Sequence, residues 1–173
     1  MIYATEVVII MGVIKFFLTK YHGIDVLYEV IPLNKVISTD VLLDNMALLL
    51  ILKKYEQYIN KLKNSNIRMI IPLIILEECI EHHKKGVEKG GEKNIYKIMD
   101  YIYKLNKLLS LGIIFVLNVD DDLTDKLIQE KGDRHIDYVM KNKTNIILFS
   151  HDSYLKHKYA KRCIHENKLL AYI

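Results

Sequence analysis

Five short apolar runs alternate along the chain with longer stretches in which apolar residues recur every three or four positions. The runs predict strands at residues 35–39, 68–71, 112–117, 145–149 and 168–173. The stretches predict helices at residues 41–62, 73–83, 95–109, 133–140 and 150–165. Because strand and helix alternate and the inner strands are apolar throughout, we expect a three-layer α/β/α sandwich around a mostly parallel, five-stranded sheet.

Two segments stand apart from this alternation. Residues 84–93 contain three glycines and predict a flexible loop. Residues 7–18 are apolar but too short for a membrane-spanning helix, which needs about 20 such residues, and no basic segment precedes them as in a signal peptide. We therefore expect residues 1–34 to be an N-terminal extension, a strand or short helix that packs or makes a homodimer contact. A single domain would follow over residues 35–173. Export or anchoring is the alternative interpretation of the apolar run.

Composition narrows the class of protein. The chain has 173 residues, of which 51% are hydrophobic and 27% charged, so it is neither a disordered polymer nor a membrane protein. Two cysteines exclude a disulfide framework and a thiolate zinc site, and they favour a reducing, cytoplasmic location. The net charge of +4 and the lysines of residues 84–93 and 141–168 allow contact with RNA phosphates. A solvated, lysine-rich helix face is the other interpretation of these lysines.

Acidic residues follow the predicted strands or begin the predicted helices. Asp40 follows the first strand, Glu78 the second and Asp152 the fourth, while Asp133 and Asp137 share one face of a helix. Carboxylates brought together from separate strands repel one another, and a hard cation such as Mg²⁺ or Mn²⁺ relieves that repulsion. The sequence therefore predicts that acids of this group, with Glu77 beside Glu78 as a further candidate, share a metal ion, and that Asp137 is an auxiliary ligand or proton acceptor.

A structural role is the alternative for several of these acids. Asp40, Asp133 and Asp152 each precede or begin a predicted helix, where a carboxylate commonly accepts hydrogen bonds from the first free amides. Glu78 is different, because it lies in an apolar run where a charge needs a partner or a metal ion.

Four acidic segments carry a resemblance to a known family. They read VISTDVLL at residues 36–43, IPLIILEECI at 71–80, GDRHIDYV at 132–139 and ILFSHDSYL at 147–155. In this order they resemble the motifs of the PIN domain family, over roughly residues 35–173. The resemblance implies a compact, metal-dependent ribonuclease fold with a parallel sheet and an acidic pocket.

The resemblance also implies roles for individual residues. Asp40, Glu78, Asp133 and Asp152 would hold Mg²⁺ or Mn²⁺, and Ser150, in a Ser-x-Asp step, would position water or a ligand through its hydroxyl. The family usually opens with Asp-Thr-Asn or Asp-Thr-Asp, and this alignment places Ser38 where the first Asp stands. Asp40 lies two residues later and Asp44 one helical turn beyond it, so either is a candidate for the missing ligand; a defective first site is the alternative.

The implied activity is endonucleolytic hydrolysis of RNA that leaves a 3′-hydroxyl and a 5′-phosphate. The alternative is a non-catalytic RNA- or protein-binding module with a degenerate metal site. PIN domains include toxins of toxin–antitoxin pairs and RNA-processing nucleases, so an antitoxin or an RNA-processing protein is the implied protein partner.

Overall fold

The sheet and its helices are seen in a computed structural model, which describes residues 5–10, 14–21, 24–90 and 92–173. The strands are β1 (Thr5–Ile10), β2 (Ile14–Tyr21), β3 (Ile24–Ile31), β4 (Val41–Leu43), β5 (Met69–Pro72), β6 (Ile114–Leu117), β7 (Ile147–Phe149) and β8 (Cys163–Ile164). The helices are α1 (Asn45–Lys53), α2 (Tyr55–Lys63), α3 (Leu73–Gly90), α4 (Glu92–Ser110), α5 (Lys131–Asn142), α6 (Ser153–Lys158) and α7 (Glu166–Tyr172). These elements confirm the predicted α/β class.

All the described strands belong to one sheet, in the order β1-β2-β3-β6-β5-β4-β7-β8. From β3 to β8 every neighbouring pair is parallel, whereas β1, β2 and β3 form an antiparallel meander at one end. The parallel part therefore has six strands instead of the predicted five. Two of these strands were not predicted. β3 lies within the predicted N-terminal extension and pairs with β6, and β8 lies within the helix predicted at residues 150–165 and pairs with β7. The strand predicted at residues 168–173 is a helix instead.

The central parallel strands are buried completely. Every residue of β4 is inaccessible to solvent, and Met69, Ile70 and Ile71 of β5 are equally buried. A parallel strand covered by helices on both faces has no polar face, which is why these segments read as continuous apolar runs. The sequence pattern thus follows directly from the position of these strands in the middle layer.

The first predicted strand is misplaced by about five residues. Residues 33–35 form a 3₁₀ turn, the backbone N–H of Ile37 donates to Asp40 Oδ2 at 2.9 Å, and the strand begins only at Val41. Asp40 therefore precedes β4 instead of following it. The residue that follows β4 is Asp44, which is the N-cap of α1.

Two other segments differ from their predicted structure. Residues 168–173 lie largely in α7, because leucine, lysine and alanine favour a helix and a short apolar run does not itself distinguish helix from strand. The predicted loop at 84–93 is mostly helical, since α3 continues to Gly90 and α4 begins at Glu92. Its lysines and glutamates are good helix formers and outweigh the glycines.

The N-terminal segment contributes strands. β1 pairs along its whole length with residues 14–19 of β2. The predicted boundary between residues 34 and 35 falls within the 3₁₀ turn Leu33–Lys35 that follows β3. The homodimer contact stays a prediction. Among the residues described, no helix is both long and apolar enough to cross a membrane.

Candidate acidic site at the carboxyl edge of the sheet

Strands β4 and β7 deliver polar side chains to the same edge of the sheet. Leu43 and Phe149 are register partners, so Asp44 and Ser150 each follow one of a paired set of strand ends. The hydroxyl of Ser150 donates to Asp44 Oδ2 and accepts the backbone N–H of Asp152 at 3.0 Å. One buried hydroxyl therefore connects the acid after β4 to the acid after β7.

Asp44 and Asp152 also cap helices. Asp44 Oδ1 accepts the backbone N–H of Ala47 at 2.7 Å, and Asp152 Oδ1 accepts that of Leu155 at 2.8 Å. A cap occupies one carboxylate oxygen and fixes the orientation of the other. The structural role and the functional role proposed for Asp152 are therefore compatible.

Glu78 and Asp133 approach this pair from α3 and α5. Gly132, in the first turn of α5, faces α3. A Cβ added to it would lie 3.1 Å from Glu78 Oε2 and 2.6 Å from Ile75 Cδ1. Only a residue without a side chain lets the start of α5 lie this close to α3. Asp133 occupies the first turn of α5, where the helix dipole favours negative charge.

A turn after β6 fixes the position of α5. The guanidinium of Arg134 donates to both carboxylate oxygens of Asp121, at 2.9 and 3.1 Å, and His135 Nε2 lies 2.8 Å from Asp121 Oδ1. These two residues directly follow Asp133 in the chain. The backbone that carries Asp133 is thereby held against the 3₁₀ turn Asp121–Leu123.

The acids of this site influence one another's protonation. Burial raises the pKa of Asp133 to about 6, and the neighbouring carboxylates of Asp152, Glu130, Asp44 and Glu78 contribute to the rise. Burial also raises the pKa of Asp44, against the hydrogen bond from Ser150. Such mutual repulsion requires that the carboxylates lie near one another.

Exposure increases across the site. Asp44 is buried, Asp133 and Asp152 are half-buried, and Glu78 is exposed. Helical spacing turns the Glu78 side chain to the surface, although its neighbours in sequence are apolar. Partial burial of its carboxyl group and the charge of Glu130 raise the pKa of Glu78, and the charge of Glu78 acts in turn on Asp133.

The donor atoms of the site are those that a hard cation prefers. Asp44, Glu78, Asp133 and Asp152 offer carboxylate oxygens, and Ser150 offers a hydroxyl. In the described part of the chain, no three His, Cys, Asp or Glu side chains are positioned together to hold a metal ion. Coordination by three of these carboxylates therefore requires their side chains to rotate toward one another.

Asp40 is not part of this site. It precedes β4, at the opposite edge of the parallel sheet, where Oδ1 accepts from Arg68 Nε at 2.8 Å and Oδ2 from Arg68 Nη2 at 2.7 Å. The prediction that Asp40 follows a strand and joins the other acids is wrong. Asp44 takes its place, and the signal for it in the sequence is an acid directly after the apolar triplet at residues 41–43.

Asp137 is also separate from the site. Its carboxylate is 1% exposed and is bound by Lys141 at 2.7 Å, Lys158 at 2.6 Å and the hydroxyl of Tyr159 at 2.5 Å. Two ammonium groups balance its charge, and its two oxygens already accept bonds from Lys141, Lys158 and Tyr159. The prediction of Asp137 as an auxiliary ligand or proton acceptor is therefore not supported by its contacts.

Replacing Asp40 with asparagine is expected to affect stability and spare the acidic site. The Asp40 side chain is fully buried and that of Arg68 is 28% exposed. Because one partner is partly solvated, we expect Asp40→Asn to lower the free energy of unfolding by about 2 kcal/mol, less than for a fully buried pair. Urea denaturation measures this change. Loss of Mn²⁺-dependent RNA cleavage at unchanged stability would return Asp40 to the functional site.

Replacing Asp133 with asparagine is expected to stabilise the metal-free protein at neutral pH. The folded-state pKa of Asp133, about 6, lies above the unfolded value of about 3.9. At a pH between these two values the native state binds more protons than the unfolded state. The free energy of unfolding therefore falls as the pH rises from about 3.9 to about 6. Asparagine removes this penalty, and we expect a gain of about 1–2 kcal/mol at pH 7.5 after allowing for solvent screening.

The gain should vanish near about pH 3.5, where the carboxyl is protonated in both states. Urea denaturation in EDTA at the two pH values measures it. The matched control is Asp122→Asn, at an exposed position outside the acidic site. A neutral or destabilising effect of Asp133→Asn at pH 7.5 would contradict the mutual repulsion described above.

Comparison with known proteins shows a similarity of fold. No family model and no curated protein matches this chain. A crystal structure of the protein PAE2754 from Pyrobaculum aerophilum is similar, with a TM-score of 0.56 and 18% sequence identity, over 77% of this chain and 95% of that one. At this identity the likeness concerns the fold alone.

Proposed function

We propose that this chain is a Mg²⁺- or Mn²⁺-dependent endoribonuclease. The proposal depends on a difference between two groups of acidic residues, those that are ion-paired with basic side chains and those that are not. Asp40 and Asp137 are each neutralised by basic side chains. Among the ion pairs of the described residues, none joins a lysine or arginine to the acids of the site, Asp44, Glu78, Asp133 and Asp152, although the charge of Lys131 acts on Glu78. Neighbouring carboxylates that are not ion-paired with lysine or arginine favour a cation.

Each side chain of the site has a definite task under this proposal. Asp44, Asp133, Asp152 and Glu78 hold the cation, which when bound neutralises charge on the phosphodiester and lowers the pKa of water. Ser150 fixes the orientation of Asp44 through its hydrogen bond.

The resemblance to the PIN domain family enters the same proposal. With β4 at Val41–Leu43, the acid that follows the opening strand is Asp44. Asp44 then stands in place of Ser38 as the family's first acidic residue, which supports an intact site over a degenerate one. RNA is the proposed substrate. An antitoxin or RNA-processing partner, a homodimer and a cytoplasmic location remain predictions.

Removing the metal ion is the direct test of the proposed activity. We expect the full chain to cleave a single-stranded RNA oligonucleotide with Mn²⁺ or Mg²⁺, to leave 5′-phosphate ends, and to lose this activity in excess EDTA. Isothermal titration with MnCl₂ should show binding that the Asp152→Asn variant weakens. Cleavage that EDTA leaves unchanged would contradict the proposal.

A non-catalytic RNA-binding module is the second candidate. One observation favours it, namely that no three of the described acidic, histidine and cysteine side chains are positioned together for a metal ion. This function predicts RNA binding that EDTA leaves unchanged, no cleavage, and no heat of Mn²⁺ binding. The same titration and cleavage assays therefore separate the two candidates.

A further inference from the structure

Two exposed histidines lie side by side next to the acidic site. His151 stands between Ser150 and Asp152, and His165 directly follows β8. Because Phe149 and Ile164 are register partners, the two histidines come from neighbouring strand ends. Their ring centroids are 6.4 Å apart, with an interplanar angle of 42°. The ring centroids of His151 and Phe149 are 5.7 Å apart, in a T-shaped arrangement.

Two lysines extend this pair of rings. The backbone N–H of Lys156 on α6 donates to the carbonyl of Asp152 at 3.0 Å, and that of Lys168 on α7 donates to the carbonyl of His165 at 3.0 Å. Both lysine charges act on His165. We call His151, Lys156, His165 and Lys168 the histidine rim. The rim presents two imidazole rings and two ammonium groups beyond the ends of β7 and β8.

The histidine rim adjoins the acids of the proposed active site. His151 lies in the chain between Ser150, whose hydroxyl donates to Asp44, and Asp152, whose backbone N–H donates to that same hydroxyl. The field at Cys163 likewise includes Asp44, Asp152 and Lys156. An acidic site that would bind a cation therefore borders a basic, aromatic surface.

We propose that the histidine rim binds an unpaired stretch of the RNA substrate next to the cleaved bond, with a base stacked on the imidazole rings and phosphates on the lysines. This proposal rests on the proposed function for its location beside a cleavage site. Aromatic rings that carry bases and basic groups that follow the phosphates are the usual components of single-strand recognition. Lysine on phosphate adds affinity without sequence preference.

The chemistry of the rim favours RNA over a protein partner. His151 and His165 are exposed and polar at their edges, and the rim carries lysines where a protein interface core usually excludes them. Flat, exposed rings beside ammonium groups match the alternation of base and phosphate in a nucleic-acid strand.

Binding of a single-stranded RNA decamer in EDTA, followed by fluorescence anisotropy, tests the rim separately from cleavage. Base–aromatic stacking is typically strong enough that His151→Ala/His165→Ala should weaken binding about tenfold. His165→Phe keeps a stacking surface and should stay within about twofold of wild type. Lys156→Ala/Lys168→Ala should weaken binding and reduce its salt dependence.

Lys107→Ala is the matched control, because Lys107 is exposed in the last turn of α4, before β6 and thus toward the opposite edge of the sheet. It should bind as wild type does. Thermal unfolding checks that each variant is folded.

The possible results separate the rim from the proposed activity. Unchanged affinity in the double histidine variant, or equal losses in Lys107→Ala, would overturn the proposal. So would a wild-type chain that cleaves RNA with Mn²⁺ but shows no rim-dependent binding, and in that case the nuclease function stands. Rim-dependent binding by a chain that does not cleave would support the rim and contradict the nuclease.

Discussion

Asp133→Asn and Asp152→Asn should each lower the Mn²⁺-dependent cleavage of single-stranded RNA by about 100- to 1000-fold. Each substitution keeps the size of the side chain and removes one negative charge from the ligand set. Loss of one group that stabilises charge at a reacting centre commonly costs about 100- to 1000-fold, and a missing ligand also weakens metal binding. Initial rates at saturating Mn²⁺ measure the effect.

Stability distinguishes this loss from unfolding. Asp133→Asn is expected to be more stable than the wild type at neutral pH, so a loss of cleavage in that variant cannot come from a loss of folded protein. Asp122→Asn serves as the charge-matched control outside the site and should cleave at the wild-type rate. Cleavage retained by both Asp133→Asn and Asp152→Asn would contradict the proposed function.

Much of this fold could be predicted because each layer requires its own pattern of apolar residues in the sequence. Buried parallel strands require apolar residues on both faces, and helices covering them require one apolar stripe, so strand and helix alternate visibly. This pattern predicted the wrong position for β4, which is only three residues long. Nearby β-branched residues at 36 and 37 gave an equally strong strand signal.

The candidate site could be predicted only in part, for a related reason. Glu78, Ser150, Asp133 and Asp152 were found because each follows or begins an element whose position was close to correct. The sequence indicates Asp44 only as a candidate beside Asp40, because the predicted position of its strand is displaced. Asp40 was chosen in its place, although its partner Arg68 is 28 residues away and no local spacing indicates that contact.

Asp137 shows the limit of spacing arguments on a helix. It lies four residues after Asp133, so both face the same side of α5, but one turn of helix separates them by about 6 Å along the axis. Its environment is determined by Lys158 and Tyr159, which the sheet brings over after β7. Tertiary contacts of that kind leave no periodic signal in the sequence.

Asp137→Ala should therefore be among the most destabilising single substitutions in the described part of the chain. It would leave the ammonium groups of Lys141 and Lys158 and the hydroxyl of Tyr159 without their shared acceptor. We expect the free energy of unfolding to fall by about 3 kcal/mol, at the lower end for a broken buried pair because both lysines are partly exposed. Urea denaturation at pH 7 measures the fall.

The pH dependence of this loss identifies its origin. Burial would raise the pKa of Asp137, but hydrogen bonds from Lys141, Lys158 and Tyr159 prevail and lower it. A lowered folded-state pKa contributes stability above the unfolded value of about 3.9 and loses it as the pH falls toward the folded value. The difference between wild type and Asp137→Ala should therefore shrink below about pH 4. Tyr159→Phe, which keeps both lysines, should cost only about 1 kcal/mol. If Asp137→Ala were as stable as the wild type yet unable to cleave RNA, Asp137 would belong to the catalytic site after all.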